Sequence, residues 1–131
     1  MKFDKKAGDF LKGTHFAKLA TPNKNGSPQL TPVRYKYDNG KLIINTTRDR
    51  QKFLNMKRDD RVAFFIDEGY RYVATRGRAR EAKERDPNED IEALAVAYTG
   101  EEKGRESARD VYWKQQRVSF EIAPLRVFSG L

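Results

Sequence analysis

Residues 45–62 read NTTRDRQKFLNMKRDDRV. An apolar run, 42–44, closes on Asn45, Thr46 and Thr47, and Arg48, Arg50 and Lys52 follow on the turn into a helical pattern. Hydroxyl and amide groups that end a strand can point past the sheet edge. Arg50 offers bidentate hydrogen bonds of the kind a phosphate accepts, and Lys52 adds a compact point charge. Backbone N–H groups at the helix start supply further donors. Cations placed there oppose the partial positive charge of the helix N-terminus, so a bound anion is the natural complement. The pattern by itself also fits solvated charges on an exposed turn.

The other chemistry-bearing residues are less concentrated. In TRGRAR, Arg76, Arg78 and Arg80 share one face of an extended segment, flanked upstream by Tyr70 and Tyr72. Such a row suits a nucleic-acid backbone, or one solvated face of a two-sided strand. Neither an aromatic RNA-binding motif nor helix-turn-helix spacing accompanies it. His15 has no serine or carboxylate partner in pattern and reads as structural. Asp67 and Glu68 beside Gly69 read as a turn. Tyr70, Tyr72 and Trp113 could stack on a flat ligand or pack in a core or a subunit contact. No nucleophile–base pair, phosphate-binding glycine loop or dinucleotide fingerprint is present.

Composition narrows the class. The chain has 131 residues, 37% hydrophobic and 35% charged, with 27 Lys+Arg against 19 Asp+Glu, a formal excess of +8. That length predicts one domain over residues 1–131 with a lean core, completed by pairing with another copy. The positive excess favours anionic partners. With no cysteine and a single histidine, disulfides, thiolate catalysis and multi-histidine metal sites within one chain are excluded. No run reaches the roughly 20 apolar residues of a membrane span, and the N-terminus lacks a signal-peptide pattern, so a cytoplasmic location is expected.

The elements that must position the basic turn follow from periodicity. A short amphipathic helix is expected over 4–13, with Phe10 and Leu11 inward, then a strand over 14–22 and a turn at 23–28. Residues 29–38 alternate as one strand, with Val33, Tyr35 and Tyr37 on one face and Arg34 and Lys36 on the other. Asp38, Asn39 and Gly40 supply a tight hairpin into a partner strand over 41–47. The helix at 50–59 is expected to turn Phe53, Leu54 and Met56 to the core. A central strand over 61–68 precedes a long strand over 70–82. Asp86 and Pro87 start a helix whose stripe is Ile91, Leu94, Ala95 and Tyr98, ending at Gly100. Residues 101–110 read as surface loop or frayed helix, and 117–124 as the last strand. Strands arranged as hairpins and meanders argue for an antiparallel sheet curled into a small barrel.

Three motifs, in order, carry a family likeness: LAT followed by GSPQLTPV, then TT with Arg50, Lys52, Asn55 and the pair Arg61-Val62, then YRYVATRGRA. With RVSFEIAPLRV they resemble the pyridoxamine 5′-phosphate oxidase-like superfamily of flavin and deazaflavin split barrels, most of all its small coenzyme F420-dependent branch. The resemblance implies a six-stranded antiparallel split barrel, homodimeric, with FMN or F420 at the subunit interface. It assigns the cofactor phosphate to Asn45, Thr46, Thr47, Arg50 and Lys52. It lays the cofactor ring along Gln29, Leu30, Thr31, Pro32 and Val33, with Tyr70 near it. The implied activity is hydride transfer to or from a small organic substrate, with no catalytic side chain identified. A non-catalytic carrier or sensor is the alternative, and nucleic-acid binding is disfavoured. The phosphate-binding residues that full pyridoxamine-phosphate oxidases carry in a C-terminal extension have no counterpart after Pro124, and a lone His15 disfavours haem-binding relatives.

Overall fold

The computed structural model describes residues 2–131. Seven strands form one antiparallel sheet: β1 (Ala17–Pro22), β2 (Pro28–Val33), β3 (Lys36–Asp38), β4 (Lys41–Thr47), β5 (Arg61–Glu68), β6 (Arg71–Glu81) and β7 (Arg117–Gly130). Their order is β2-β1-β5-β6-β7-β4-β3. Helices α1 (Lys5–Leu11), α2 (Gln51–Arg58), α3 (Pro87–Thr99) and α4 (Glu101–Asp110) fill around it, with a short 3-10 turn at Tyr112–Lys114.

The sheet curls but does not close. Its two edges, β2 and β3, are neighbours in sequence yet lie at opposite ends of the strand order. This corrects the expected strand count from six to seven, because residues 29–38 do not run as one strand. At Arg34 and Tyr35 the ladder breaks for a local reason. The Tyr35 hydroxyl donates to the Leu11 carbonyl (3.0 Å), while its backbone N–H donates to the Tyr98 hydroxyl (3.2 Å). The Tyr98 hydroxyl in turn donates to the carbonyl of His15. The backbone N–H that would continue a ladder is therefore spent on α3, and the side chain is anchored at the α1 end.

Alternation places Leu42, Ile44, Phe64, Ile66, Val73, Phe120 and Ile122 inside the curl, each almost fully buried. Phe53 and Met56 join them from α2, but Leu54 is half exposed. On a helix of eight residues the stripe is Phe53, Asn55 and Met56. Asn55, fully buried, replaces Leu54 there because its amide is fully used. It donates to Thr21 Oγ1 (3.1 Å) and Asn23 Oδ1 (3.0 Å) and accepts from Gln51 (2.9 Å) and Arg58 (3.2 Å). A buried amide so satisfied docks α2 on β1 without a desolvation penalty.

Local signals explain the remaining elements. Asn39 and Gly40 take φ values of 51° and 78°, the left-handed pair a two-residue hairpin needs. Asp86 caps α3, accepting from Asn88 N–H (2.9 Å), with Pro87 at the first position. Residues 101–110 are a full helix, and Gly104 lets α4 cross α3 closely, since a Cβ there would lie 2.4 Å from Val96 N. The last strand extends to Gly130, past the expected end at 124, after a register shift at Arg76 and Gly77. His15 is structural: its Nε2 is 3.0 Å from the Phe10 carbonyl and its ring stacks on Phe10 at 4.7 Å.

Candidate functional site

The seam where the sheet fails to close contains a cavity of about 190 Å³. The end of β2 lines it with Pro32, Val33 and Arg34, and the end of β4 with Asn45, Thr46 and Thr47. Arg50 and Lys52 reach it from the start of α2, Ile91 and Leu94 from α3, and Tyr112 and Arg117 from the segment leading into β7. The expected phosphate group, Asn45, Thr46, Thr47, Arg50 and Lys52, thus comes together in one place with two of the expected ring contacts. Gln29, Leu30 and Thr31 run away from the cavity down the edge of β2, where Leu30 is 67% exposed. Tyr70 lies at the β5–β6 hairpin tip, fully exposed, and does not line the cavity.

The cations of this corner lack direct ion pairs. Among the described residues, Arg50, Lys52 and Arg117 make no ion pair. Burial, and next the neighbouring Arg50, lowers the Lys52 ammonium below its ordinary pKa. Burial also lowers Arg117; Tyr112 and Asp49 oppose the shift, while Arg50 adds to it. Asp49 is the nearby carboxylate; its bond from the Thr47 hydroxyl (2.5 Å) holds it below the usual range. Half-buried cations that repel one another raise the energy of the folded state unless an anion joins them. The start of α2 has no side-chain cap, so its first N–H groups remain available as well. This donor set fits a phosphate.

Arg48 is different. It pairs with Glu81 (2.9 Å), which also receives Lys57 (3.1 Å), so it staples the turn to β6 and α2. The row on β6 is also largely used: Arg78 pairs with Asp60 (2.6 Å), and Arg80 with Glu84 (2.8 Å) and Glu121 (3.0 Å). Arg76 lies over the Phe128 ring, 5.6 Å from its centroid.

Arg117, Tyr112 and Arg34 are the cavity residues that sequence reading passed over. Arg117 faces Thr47 in the β4–β7 register, and that pairing is the signal, visible only once the strands are matched. Its Nε donates to Asn45 Oδ1 (2.8 Å), and the guanidinium stacks over Tyr112 at 5.3 Å. The Asn45 amide donates to the Pro87 carbonyl (2.9 Å) and to Ser119 Oγ (3.2 Å). All of these bonds are to protein, so the Asn45 amide has no donor left for a ligand. The cavity is smaller than the 300–1,000 Å³ that encloses a drug-sized ligand. It fits an anionic tail, with the remainder of the ligand outside it. A second recess of about 310 Å³, lined by Arg48, Asp49, Gln115 and Gln116, shares Thr47 and Arg50 with it.

An open antiparallel half-barrel with a basic corner at its seam defines the class: a split-barrel protein. The comparisons agree. The family model described as pyridoxamine 5′-phosphate oxidase matches residues 3–129, and the chain belongs to that family. A curated relative, the 5a,11a-dehydrotetracycline/5a,11a-dehydrooxytetracycline reductase of Streptomyces rimosus subsp. rimosus, is 35% identical over 72 residues. That match covers 52% of this chain and 51% of the relative, so the chain spans about half the length of the curated relative it matches. A conserved hypothetical protein from Mycobacterium tuberculosis superposes with a TM-score of 0.77 at 27% identity, covering 98% of this chain and 84% of the other. An F420 reductase superposes with a TM-score of 0.74 at 22% identity, over 96% and 98%, a likeness of fold.

Proposed function

We propose that this protein is a flavin- or deazaflavin-dependent oxidoreductase that docks the phosphate of FMN or F420 among Arg50, Lys52 and the Thr46 hydroxyl, while the Thr47 hydroxyl is committed to Asp49. The observation that carries this reading is the cationic corner at the open seam. The reductase activity in the name of the Streptomyces relative and the F420 reductase fold support it. When bound, the ring supplies the hydride chemistry. The chain's own part is to bind and orient. The corner holds the tail, and the exposed edge of β2 offers a shelf for the ring along Gln29, Leu30, Thr31, Pro32 and Val33. Pro28 and Pro32 leave that edge short of N–H groups, which also keeps it from templating another strand.

The recess beyond Thr47 and Arg50 gives F420 room that FMN does not need, although Asp49 in its lining opposes an acidic tail. FMN ends at its phosphate, whereas F420 continues through a phosphodiester into an acidic tail that needs a polar path onward. A shelf left open on one side calls for a second copy, and we assign the contact to the outer face of β5, β6 and β7. There Phe65, Ala74 and Phe128 form one row across three strands, and Arg76 stands opposite Arg126. In the dimer Tyr70 would have to reach the ring from a neighbouring subunit, since it does not do so within its own.

The test is a titration of the wild type with each cofactor, alongside Arg50→Ala and Lys52→Ala. Each substitution removes a charge-assisted contact of about 1.5–3 kcal/mol, or roughly 10- to 150-fold in affinity. Unchanged affinity in both variants would refute the phosphate assignment. Turnover of an organic acceptor with the preferred cofactor separates an enzyme from a carrier.

A further inference from the structure

Arg117 is held from behind by a chain of hydrogen bonds that ends on a carboxylate outside the cavity lining. Arg85 grips Asp90 with two parallel bonds, Nε to Oδ2 (2.8 Å) and Nη2 to Oδ1 (2.9 Å), and its Nη1 reaches Asp38 (3.3 Å). The Ser119 hydroxyl, on a residue 2% exposed, donates to Asp90 Oδ2 (2.6 Å). Asn45 Nδ2 then donates to Ser119 Oγ and to the Pro87 carbonyl, and Asn45 Oδ1 accepts from Arg117 Nε.

This chain has a direction. An ionised carboxylate only accepts, so the single Ser119 proton must point at Asp90, leaving the hydroxyl's lone pairs for Asn45. Two acceptors, Ser119 Oγ and the Pro87 carbonyl, therefore converge on the donor end of the Asn45 amide. A flipped amide would set oxygen against those acceptors and N–H against the Arg117 N–H. Only one orientation satisfies every group, and it aims oxygen at Arg117 Nε. The guanidinium is further fixed by Gln115 Oε1 on Nη1 (2.7 Å) and by the Tyr112 ring beneath it. Nη2 is left without a protein partner among the described residues, beside Arg50 and Lys52.

We propose that Asp90, acting through Ser119 and Asn45, positions Arg117 as the third cation of the phosphate corner; this rests on the functional reading above. Arg117 is the binding residue, while Asp90, Ser119 and Asn45 are positioning residues that never touch the ligand. The charge of Asp90 orders the chain, and Arg85 keeps that charge in place.

Two measurements test this. First, the affinities of wild type, Ser119→Ala and Arg117→Gln are compared for FMN against riboflavin, and for F420 against its phosphate-free deazaflavin riboside. Ser119→Ala should lower affinity roughly tenfold for the phosphorylated ligand and leave the phosphate-free one unchanged. In an Arg117→Gln background it should cost nothing further. Equal binding by Ser119→Ala and wild type, or equal loss with both ligand forms, overturns the proposal. Second, the Arg117 Nε–H resonance is followed in the ligand-free protein. It should be a protected signal in wild type and lose protection in Ser119→Ala and in Asp90→Asn; retained protection overturns the relay without reference to any ligand. If wild type binds neither phosphorylated ligand, the functional reading fails, while the resonance still decides whether the relay orders Arg117.

Discussion

Lys52→Met separates the stability of the corner from its affinity, and the two should move in opposite directions. The ammonium of Lys52 is partly withdrawn from water beside Arg50 and has no carboxylate partner among the described residues. Methionine keeps an apolar stem of similar length, and its helix propensity matches that of lysine, so the change isolates the charge. Relieving the repulsion and partial desolvation should stabilise the ligand-free protein by about 1 kcal/mol. For a domain of this size that is a rise in Tm of about 2–5 °C. The same substitution should weaken binding of a phosphorylated cofactor by roughly 10- to 150-fold. The pH dependence carries a sign of its own. Because the folded pKa of Lys52 lies below its ordinary value near 10.4, the penalty is full at neutral pH and fades as pH rises through that lowered pKa. The stability gap between the variant and wild type should therefore close in alkaline solution. Thermal melts from neutral to alkaline pH, with and without cofactor, measure all three. A lower Tm for ligand-free Lys52→Met at neutral pH would show that Lys52 is already satisfied, and the case for a waiting anion would fail.

Two further outcomes follow from the structure. Glu81, with a side chain 10% exposed, is raised by burial but held below the ordinary glutamate range by Arg48 and Lys57. Its contribution is present above the unfolded pKa near 4.3 and is lost as pH falls through the lowered folded value; Glu81→Gln should destabilise the protein by about 1–3 kcal/mol at pH 7, with the difference from wild type shrinking on acidification in denaturant titrations. Phe128→Asp on the outer sheet face should weaken the proposed dimer by about 2 kcal/mol, roughly thirtyfold in its dissociation constant, read by sedimentation velocity; a wild type that sediments as a monomer at every concentration refutes that interface.

What was legible in the sequence was whatever local chemistry dictates. The hairpin at Asn39 and Gly40 needs only two residues of positive φ, and the start of α3 needs only an aspartate before a proline. The basic turn was legible as a cluster because its members lie within a few residues of one another. The break at Arg34 and Tyr35 was not, since nothing in that alternating pattern reveals that the Tyr35 N–H is claimed by Tyr98, 63 residues away. The same limit hid Arg117, whose place is set by its register opposite Thr47, and the inward turn of Asn55, which depends on Thr21 and Asn23. Residues 101–110 lack an apolar stripe, so their helix was ambiguous until Gly104 could be seen against α3. The row Arg76, Arg78 and Arg80 was legible as a face, but the pairing of Arg78 and Arg80 rests on Asp60 in the loop before β5, on Glu84 and on Glu121 of β7.

The position of the candidate site follows from the same non-closure that cost the sequence reading a strand. A closed barrel would pair the ends of β2 and β4 with neighbouring strands and leave no room between them. Here Tyr35 and Tyr98 divert the chain, α3 covers part of the gap, and the ends of β2 and β4, each paired on one side only, face a cavity rather than each other. Such a gap needs a frame that holds without the groups that bind. Asn55, Tyr98 and the Glu81 staple supply that frame through satisfied bonds, whereas among the described residues Arg50 and Lys52 have no ion-pair partner and Arg117 is hydrogen-bonded only by neutral groups. Residues that stabilise the fold and residues proposed to hold an anion are therefore different residues. That division allows the corner to carry cations that lack direct ion pairs in the free protein without threatening the fold, and it is why removing one of those charges should strengthen the frame and weaken the site.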